Sequence, residues 1–295
     1  MASKLIGLAK RVGTDVAAHN LSIIAAGMAY NAVFSLFPAL AALVSVYGLV
    51  ADPSTVAAQI EALAKFLPGD VARIVGEELQ RLISASGSRL GFSLALSLLV
   101  ALWSVASGIK AVITGLNVAY DAKEHRGFFK LSAIALGLAI GLIVFALVSL
   151  SMVAVLPVAL KFLGLGEAVQ GVVSIGRWPA LALLVILALS VLYRWGPCRL
   201  GVHWRFISWG AALCAVLWIA GSLLLSLYLA NFGKYDQTYG SIGGAVVLLL
   251  WLYFSAFTVL LGAELDAELE QRQGIPTSRE KAAAEQQAGM ASSRR

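Results

Sequence analysis

The residues best placed to do chemistry in this chain are polar side chains set inside long apolar runs. Gly27, Asn31, Ser35 and Pro38 recur at steps of four, four and three, so on a helix they share one face, with Tyr30 at its border. An amide inside an apolar helix needs a hydrogen-bonding partner, supplied by a neighbouring helix or by water in a cavity. The proline removes a backbone hydrogen bond and frees a carbonyl on the same face. That suits either close helix packing through small residues or the wall of a polar pathway. A second stripe, Ser93, Ser97, Ala101, Ser104 and Gly108, ends beside Lys110. Counted along their runs at about 1.5 Å per residue, Lys110 and Glu264 come to a similar depth, near one membrane boundary. There they read either as interfacial anchors, with the lysine snorkelling to the headgroups, or as a partly hydrated pair that latches the end of a gate. The third region runs from Ala230 to Gly244, where Asn231, Tyr235, Asp236, Gln237, Tyr239 and Gly240 crowd together more polar groups than a turn requires. It reads as a tight helix connection, with Gly240 and Gly244 as a small-residue face, or as a re-entrant segment that contacts substrate.

The signatures of soluble enzymes do not accompany these residues. The chain has no phosphate-cradling Gly-rich loop with lysine, no Gly-x-Ser-x-Gly and no His-x-x-x-His. His19, His125 and His203 are far apart, and Cys198 and Cys214 have neither metal-ligand spacing nor a disulfide framework. No catalytic residue, metal site or cofactor is expected. The net charge of +6 and pI near 9.4 do not point to nucleic acid, because Lys and Arg form no basic stripe with interleaved aromatics.

The elements that must hold these residues follow from hydropathy. A chain that is 60% hydrophobic and 13% charged, with a mean hydropathy of +0.85, is not a water-soluble globule. The expected architecture is all-α, a polytopic bundle of about six transmembrane helices forming one domain over 21–270. The spans lie at about 21–50, 90–116, 129–160, 178–193, 206–229 and 241–265, the fourth being the shortest. Residues 1–20 carry Leu5, Leu8, Val12 and Val16 at helical spacing among Lys4, Lys10 and Arg11. They read as an amphipathic segment lying on the headgroups, not as a cleaved signal peptide. Residues 53–86 read as two amphipathic helices joined at Pro68-Gly69, which either cap the bundle on its outer side or touch the outer leaflet. The polar stretch 271–295 reads as a disordered tail. Lys and Arg concentrate in the loops of one side, among them Lys123, Arg126, Lys130, Arg194, Arg199 and Arg205. By the positive-inside rule both termini are then cytoplasmic.

Several segments, in order, give the chain a family likeness. They are Ala29-Tyr30-Asn31-Ala32-Val33-Phe34-Ser35-Leu36-Phe37-Pro38, Tyr193-Arg194-Trp195-Gly196-Pro197, Trp209-Gly210-Ala211, the Asn231 to Gly244 stretch, Leu250-Trp251-Leu252-Tyr253 and Leu261-Gly262-Ala263-Glu264-Leu265. With them the chain resembles the YihY/BrkB family of bacterial inner-membrane proteins from about Asp15 to Arg272. The resemblance implies a six-helix inner-membrane protein without an established activity. Some members have been called virulence or serum-resistance factors, and some are thought to move a lipid or other substrate. The family's old ribonuclease label is generally regarded as a misassignment, and this chain lacks a soluble metal-binding nuclease region. The leading expectation is a transporter or lipid flippase or exporter in the bacterial cytoplasmic membrane. Its partners would be membrane lipids and a lipid or small-molecule substrate, not nucleic acid. The alternative is a non-transporting scaffold of envelope biogenesis, with a membrane enzyme third. Transport predicts an opening beside Asn31 and Pro38; a scaffold predicts a dry bundle core.

Overall fold

The computed structural model of the chain describes residues 2–50, 89–152, 167–199, 208–231 and 235–273. The expected outer helix pair at 53–86 and nearly all of the tail at 271–295 lie outside these residues. Among the described residues seven helices follow one another: α1 (Ala2–Ala18), α2 (Leu21–Val50), α3 (Arg89–Ala119), α4 (Phe128–Leu150), α5 (Glu167–Trp195), α6 (Trp209–Asn231) and α7 (Tyr235–Arg272). Among the described residues there is no strand. Five stretches among them are long and apolar enough to cross a membrane: Leu102–Ala119, Phe128–Ser149, Gly171–Trp195, Trp209–Tyr228 and Gly243–Arg272. The first expected span coincides with α2, which runs 30 residues with Pro38 inside it and carries a shorter apolar stretch at Leu21–Ser35.

Three boundaries differ from the sequence expectation. The fourth span is not the shortest, because α5 starts at Glu167 and continues through Pro179 for 29 residues. Its apparent start at Trp178 was an interfacial aromatic inside a longer helix. The last helix begins at Tyr235, so Tyr235, Tyr239 and Gly240 belong to its first turns and not to a loop. It also runs past Leu265 to Arg272, since Ala-Glu-Leu-Asp-Ala-Glu-Leu-Glu is built mainly of strong helix formers. α1 packs against α7 and the start of α2, with Val12 buried and the Arg11 guanidinium 3.5 Å from the Glu268 carboxylate.

The helices alternate in direction, so the end of α1, the start of α2, the ends of α3, α5 and α7 and the starts of α4 and α6 meet at one end of the bundle. Two left-handed residues make the sharp exits there. Asn20, φ 52°, separates α1 from α2, and Asp121, φ 48°, terminates α3. At the second exit the Ala122 amide donates to the Asn117 carbonyl at 2.7 Å and the Asp121 amide to the Val118 carbonyl at 3.0 Å, a Schellman closure. The main core fills this end, from Leu21, Ala25 and Met28 on α2 through Leu116 and Tyr193 to Leu260 and Ala263 on α7.

Lipid is as apolar as leucine, so helices associate in membranes through close packing and hydrogen bonds more than through water exclusion. α6 and α7 follow this rule. Gly210 and Gly262 bring the two backbones together so closely that a Cβ on Gly210 would fall on the Gly262 carbonyl oxygen. About three turns further along, the Gly221 site is filled by the Phe254 ring, and between Gly210 and Gly221 the Trp218 indole donates to Ser255 Oγ at 2.9 Å. We therefore expect Gly210→Val to lower the thermal unfolding midpoint of the purified protein, at a cost of about 1–3 kcal/mol from overpacking. Gly27→Ala, whose added methyl group meets nothing within 4 Å, should leave the midpoint unchanged. Equal midpoints for Gly210→Val and the wild type would contradict the close α6–α7 contact.

Candidate functional site

The last turns of α7 carry Glu264, Asp266, Glu268 and Glu270. Positions four apart share a helix face, so Glu264 and Glu268 look one way and Asp266 and Glu270 another. Three of the four are buried, Glu264 to 3%, and a buried carboxylate persists only with partners. Each finds one on a different element. Glu264 meets His19 at the end of α1, whose Nδ1 lies 3.3 Å from both carboxylate oxygens. The other ring nitrogen of His19 lies 3.8 Å from Asp121, at the left-handed exit of α3. Glu268 pairs with Arg272 at 2.9 Å in its own helix and with Arg11 of α1. Asp266 accepts the Gly210 amide at 2.7 Å, at the helix N-terminus where an amide has no intrahelical partner and the dipole favours a negative charge. Ser208 caps the same terminus through Ala211.

Glu270 accepts from Arg199 Nη1, 2.7 Å from Oε2 and 2.8 Å from Oε1, while Nη2 of that arginine holds the Tyr193 carbonyl. The guanidinium also lies 4.0 Å over the Tyr120 ring. Burial pushes the Tyr120 phenol well above its ordinary value despite Arg199, so it stays neutral, and its hydroxyl is buried without a hydrogen-bond partner. A second network ties the α3–α4 connection to the α5–α6 connection. Arg126 grips Glu124 through Nε at 2.7 Å and Nη2 at 2.6 Å, and donates onward to the Gly196 carbonyl at 2.8 Å. Asn117 donates to Glu124 at 2.9 Å and accepts the Cys198 amide at 2.7 Å.

Beside this polar end lies an open groove of 880 Å³ between α4 and α5, floored by α6 and α7. Gly137, Gly141 and Phe145 form one wall and Leu184, Ala188 and Trp195 the other, with Trp218 and Ser255 behind. Its lining is almost wholly apolar, and the Ser255 hydroxyl is already engaged by the Trp251 carbonyl and the Trp218 indole.

The residues singled out from the sequence do not converge on one site. Asn31 donates to the carbonyl of Gly27, one turn back in its own helix, at 2.9 Å, and is exposed on the bundle surface. It therefore needs neither a partner helix nor a cavity. The Tyr30 ring packs at a tilt against Phe34, with centroids 4.7 Å apart, on the outer side of α2. Ser35 does link helices, donating to the carbonyls of Asn31 at 2.8 Å and of Ser104 in α3 at 3.0 Å, where Gly108 leaves room for it. The groove does not reach Asn31 or Pro38. The Lys110–Glu264 latch is not made. Glu264 goes to His19, and the Lys110 ammonium sits over the rings of Phe128 and Trp103, at 4.9 and 5.5 Å. Asn231 ends α6, and the side chains of Asn231, Tyr235, Tyr239 and Gly240 lie outside those described. Among the described residues no cluster of His, Cys, Asp and Glu is arranged to hold a metal.

A membrane-crossing helical bundle, closed at one end by buried ion pairs and open on one flank to an apolar groove, defines a class of integral membrane protein and not a soluble enzyme. The family model described as virulence factor BrkB matches residues 13–288, and the chain belongs to that family. It is 30% identical over 259 residues to a ribonuclease-like protein of Bacillus subtilis, YfkH, covering 85% of this chain and 90% of that one. Shorter matches join it to UPF0761 membrane proteins. One from Tolumonas auensis is 37% identical over 91 residues, 31% of this chain and 30% of the relative. One from Idiomarina loihiensis is 32% identical over 107 residues, 36% and 37% of the two chains. No solved structure matches the chain.

Two measurements probe the polar end. His19→Ala and Glu264→Gln should each destabilise the protein by about 1–3 kcal/mol, and the double variant by less than their sum, because each single change leaves one polar group without its partner. Lys110→Met combined with Glu264→Gln should be additive; the reverse pattern of couplings would restore the lysine latch. The second is a pH dependence. The side-chain hydrogen bonds from Arg126, opposed by partial burial and helped by the Arg126 amide and Asn117, hold the Glu124 carboxyl down to about 2 from its ordinary 4.5. A carboxylate with a lowered folded-state value stabilises the protein above its unfolded value and loses that contribution as pH falls. The gap in unfolding midpoint between wild type and Glu124→Gln should therefore be full above pH 4.5 and close as pH falls toward 2. A gap that stays constant across this window would rule out the Arg126 clamp as its source.

Proposed function

We propose that this chain is a transporter of lipid-like amphiphiles in the bacterial cytoplasmic membrane, with both termini in the cytoplasm and no enzymatic activity of its own. The observation that carries the reading is the groove between α4 and α5. A small-molecule carrier or an ion pathway would need polar groups along its route, whereas 880 Å³ of almost wholly apolar lining suits an acyl chain or other hydrocarbon moiety. The groove includes Trp195, whose carbonyl is within 3.4 Å of Arg126 Nη1, so the hydrocarbon slot abuts the polar end of the bundle. An amphiphile entering from the bilayer would find apolar and polar surfaces in the order of its own tail and head. The basic loops gather at that same end, which supports placing it in the cytoplasm.

The ribonuclease-like description of the Bacillus subtilis relative is not extended to this chain, whose described residues bring together no metal-binding cluster for phosphodiester cleavage. The test is reconstitution into liposomes containing fluorescent phospholipid labelled in one leaflet. Translocation should be faster than in protein-free vesicles and should fall in Ala188→Trp and Gly141→Trp, which fill the groove; a Cβ on Gly141 meets nothing within 4 Å, so the fold should tolerate the change. Rates equal to empty vesicles for a panel of lipids would leave the scaffold reading in its place.

A further inference from the structure

Lys110 lies on α3 within the membrane-spanning stretch Leu102–Ala119, roughly 14 Å along the helix from its C-terminal end at 1.5 Å per residue. The helix continues past the expected end at Leu116 to Ala119. An ammonium at such a depth is costly unless it reaches the interface or an anion reaches it. The side chain runs toward the α3–α4 connection, where its nitrogen is 4.9 Å from the centre of the Phe128 ring, on the first residue of α4. Trp103, two turns back on α3, lies beneath at 5.5 Å. Both rings are on the lipid-facing surface, 62% and 64% exposed, and Phe129 and Lys130 continue the exposed patch.

Two aromatic faces orient a cation but leave its charge in place. Among the described residues no carboxylate pairs with Lys110, and the neighbouring hydroxyls on this face do not help. Ser107 donates to the Trp103 carbonyl and Thr114 to the Lys110 carbonyl, each at 2.9 Å, and neither hydroxyl accepts a hydrogen bond from the Lys110 ammonium. The protein thus presents an oriented, uncompensated positive charge to the headgroup region of one leaflet, framed by the amphipathic rings that favour that level. We propose that Trp103, Lys110 and Phe128 form a binding site for the phosphate of an anionic phospholipid. The site lies on the outer surface of the α3–α4 pair, and it stands independently of transport through the groove.

Native mass spectrometry of the full-length protein with added phosphatidylglycerol or phosphatidylcholine tests this. The wild type should retain phosphatidylglycerol in preference. Lys110→Met should weaken that retention about fivefold, the effect of one cation near an anionic surface, whereas Lys110→Arg should preserve it. If Lys110→Met accumulates poorly, Phe128→Leu and Trp103→Leu keep the charge and should weaken retention less. Inorganic phosphate should not displace the lipid. Displacement by inorganic phosphate, or equal lipid retention in Lys110→Met and wild type, would overturn the proposal. Loss of lipid retention with translocation intact would separate this site from the groove.

Discussion

A carboxylate carried into the packed end of a membrane helix bundle has to be met by donors, and α7 carries four of them within two turns. Much of the architecture is a response to that requirement. Each of Glu264, Asp266, Glu268 and Glu270 draws in a group from elsewhere: His19 and Arg11 from α1, the Gly210 amide from the start of α6, and Arg199 from the α5–α6 connection. Spacing sends alternate carboxylates to opposite sides, so a single helix end becomes the point to which α1, α3, α5 and α6 are all fastened. The close approach of Gly210 to Gly262 serves the same end, because only a bare backbone lets the α6 terminus come near enough for Asp266 to take its amide. Pairing of this kind contributes modest net stability but strongly penalises any arrangement that breaks it, which makes this end of the bundle specific more than strong.

The flank behind it obeys no such demand. α4 and α5 carry few polar side chains in their spans, and among the described residues the side-chain hydrogen bonds that tie α5 to its neighbours gather towards its end. The two regions meet at the end of α5. Tyr193 donates to the Val259 carbonyl of α7 at 2.7 Å, and the carbonyls of Tyr193, Trp195 and Gly196 are taken by Arg199 and Arg126. Groove-lining Trp195 therefore hangs from a backbone fixed by two arginines. Rearrangement of the groove has to come from α4 and the body of α5, since the α5 terminus is pinned.

The bundle was legible in the sequence because long apolar runs and the asymmetry of basic loops report directly on the bilayer. Helix ends were less so: Trp178 looks like a span boundary and is not one, since an interfacial aromatic marks depth and not the end of hydrogen bonding. Ser35 was found with its small-residue neighbour Gly108, as stripes of that kind signal close packing. The polar end was mostly missed. His19 and Asp121 are 102 positions apart, as their numbers show, and they meet beside the left-handed turns at Asn20 and Asp121, with Glu264 on the other ring nitrogen of His19. One signal was present: acids at every second position of Ala-Glu-Leu-Asp-Ala-Glu-Leu-Glu, immediately after a long apolar run, imply buried carboxylates that need partners. Asn31 misled for the opposite reason. An amide in an apolar helix can be satisfied by the carbonyl one turn back, so its presence alone does not mark a pathway.

The polarity of the groove also constrains how an amphiphile could cross. Its one lining hydroxyl, Ser255, already accepts from Trp218 and donates to the Trp251 carbonyl, and none of the described lining residues is charged to carry a headgroup through. A charged headgroup drawn into such a slot would lose its hydration with nothing in exchange, at a cost of several kcal/mol. In this conformation the groove can hold the hydrocarbon and not the head. On the proposed transport reading, the head must either travel outside the slot while the chain stays inside, or cross after α4 and α5 part to admit water.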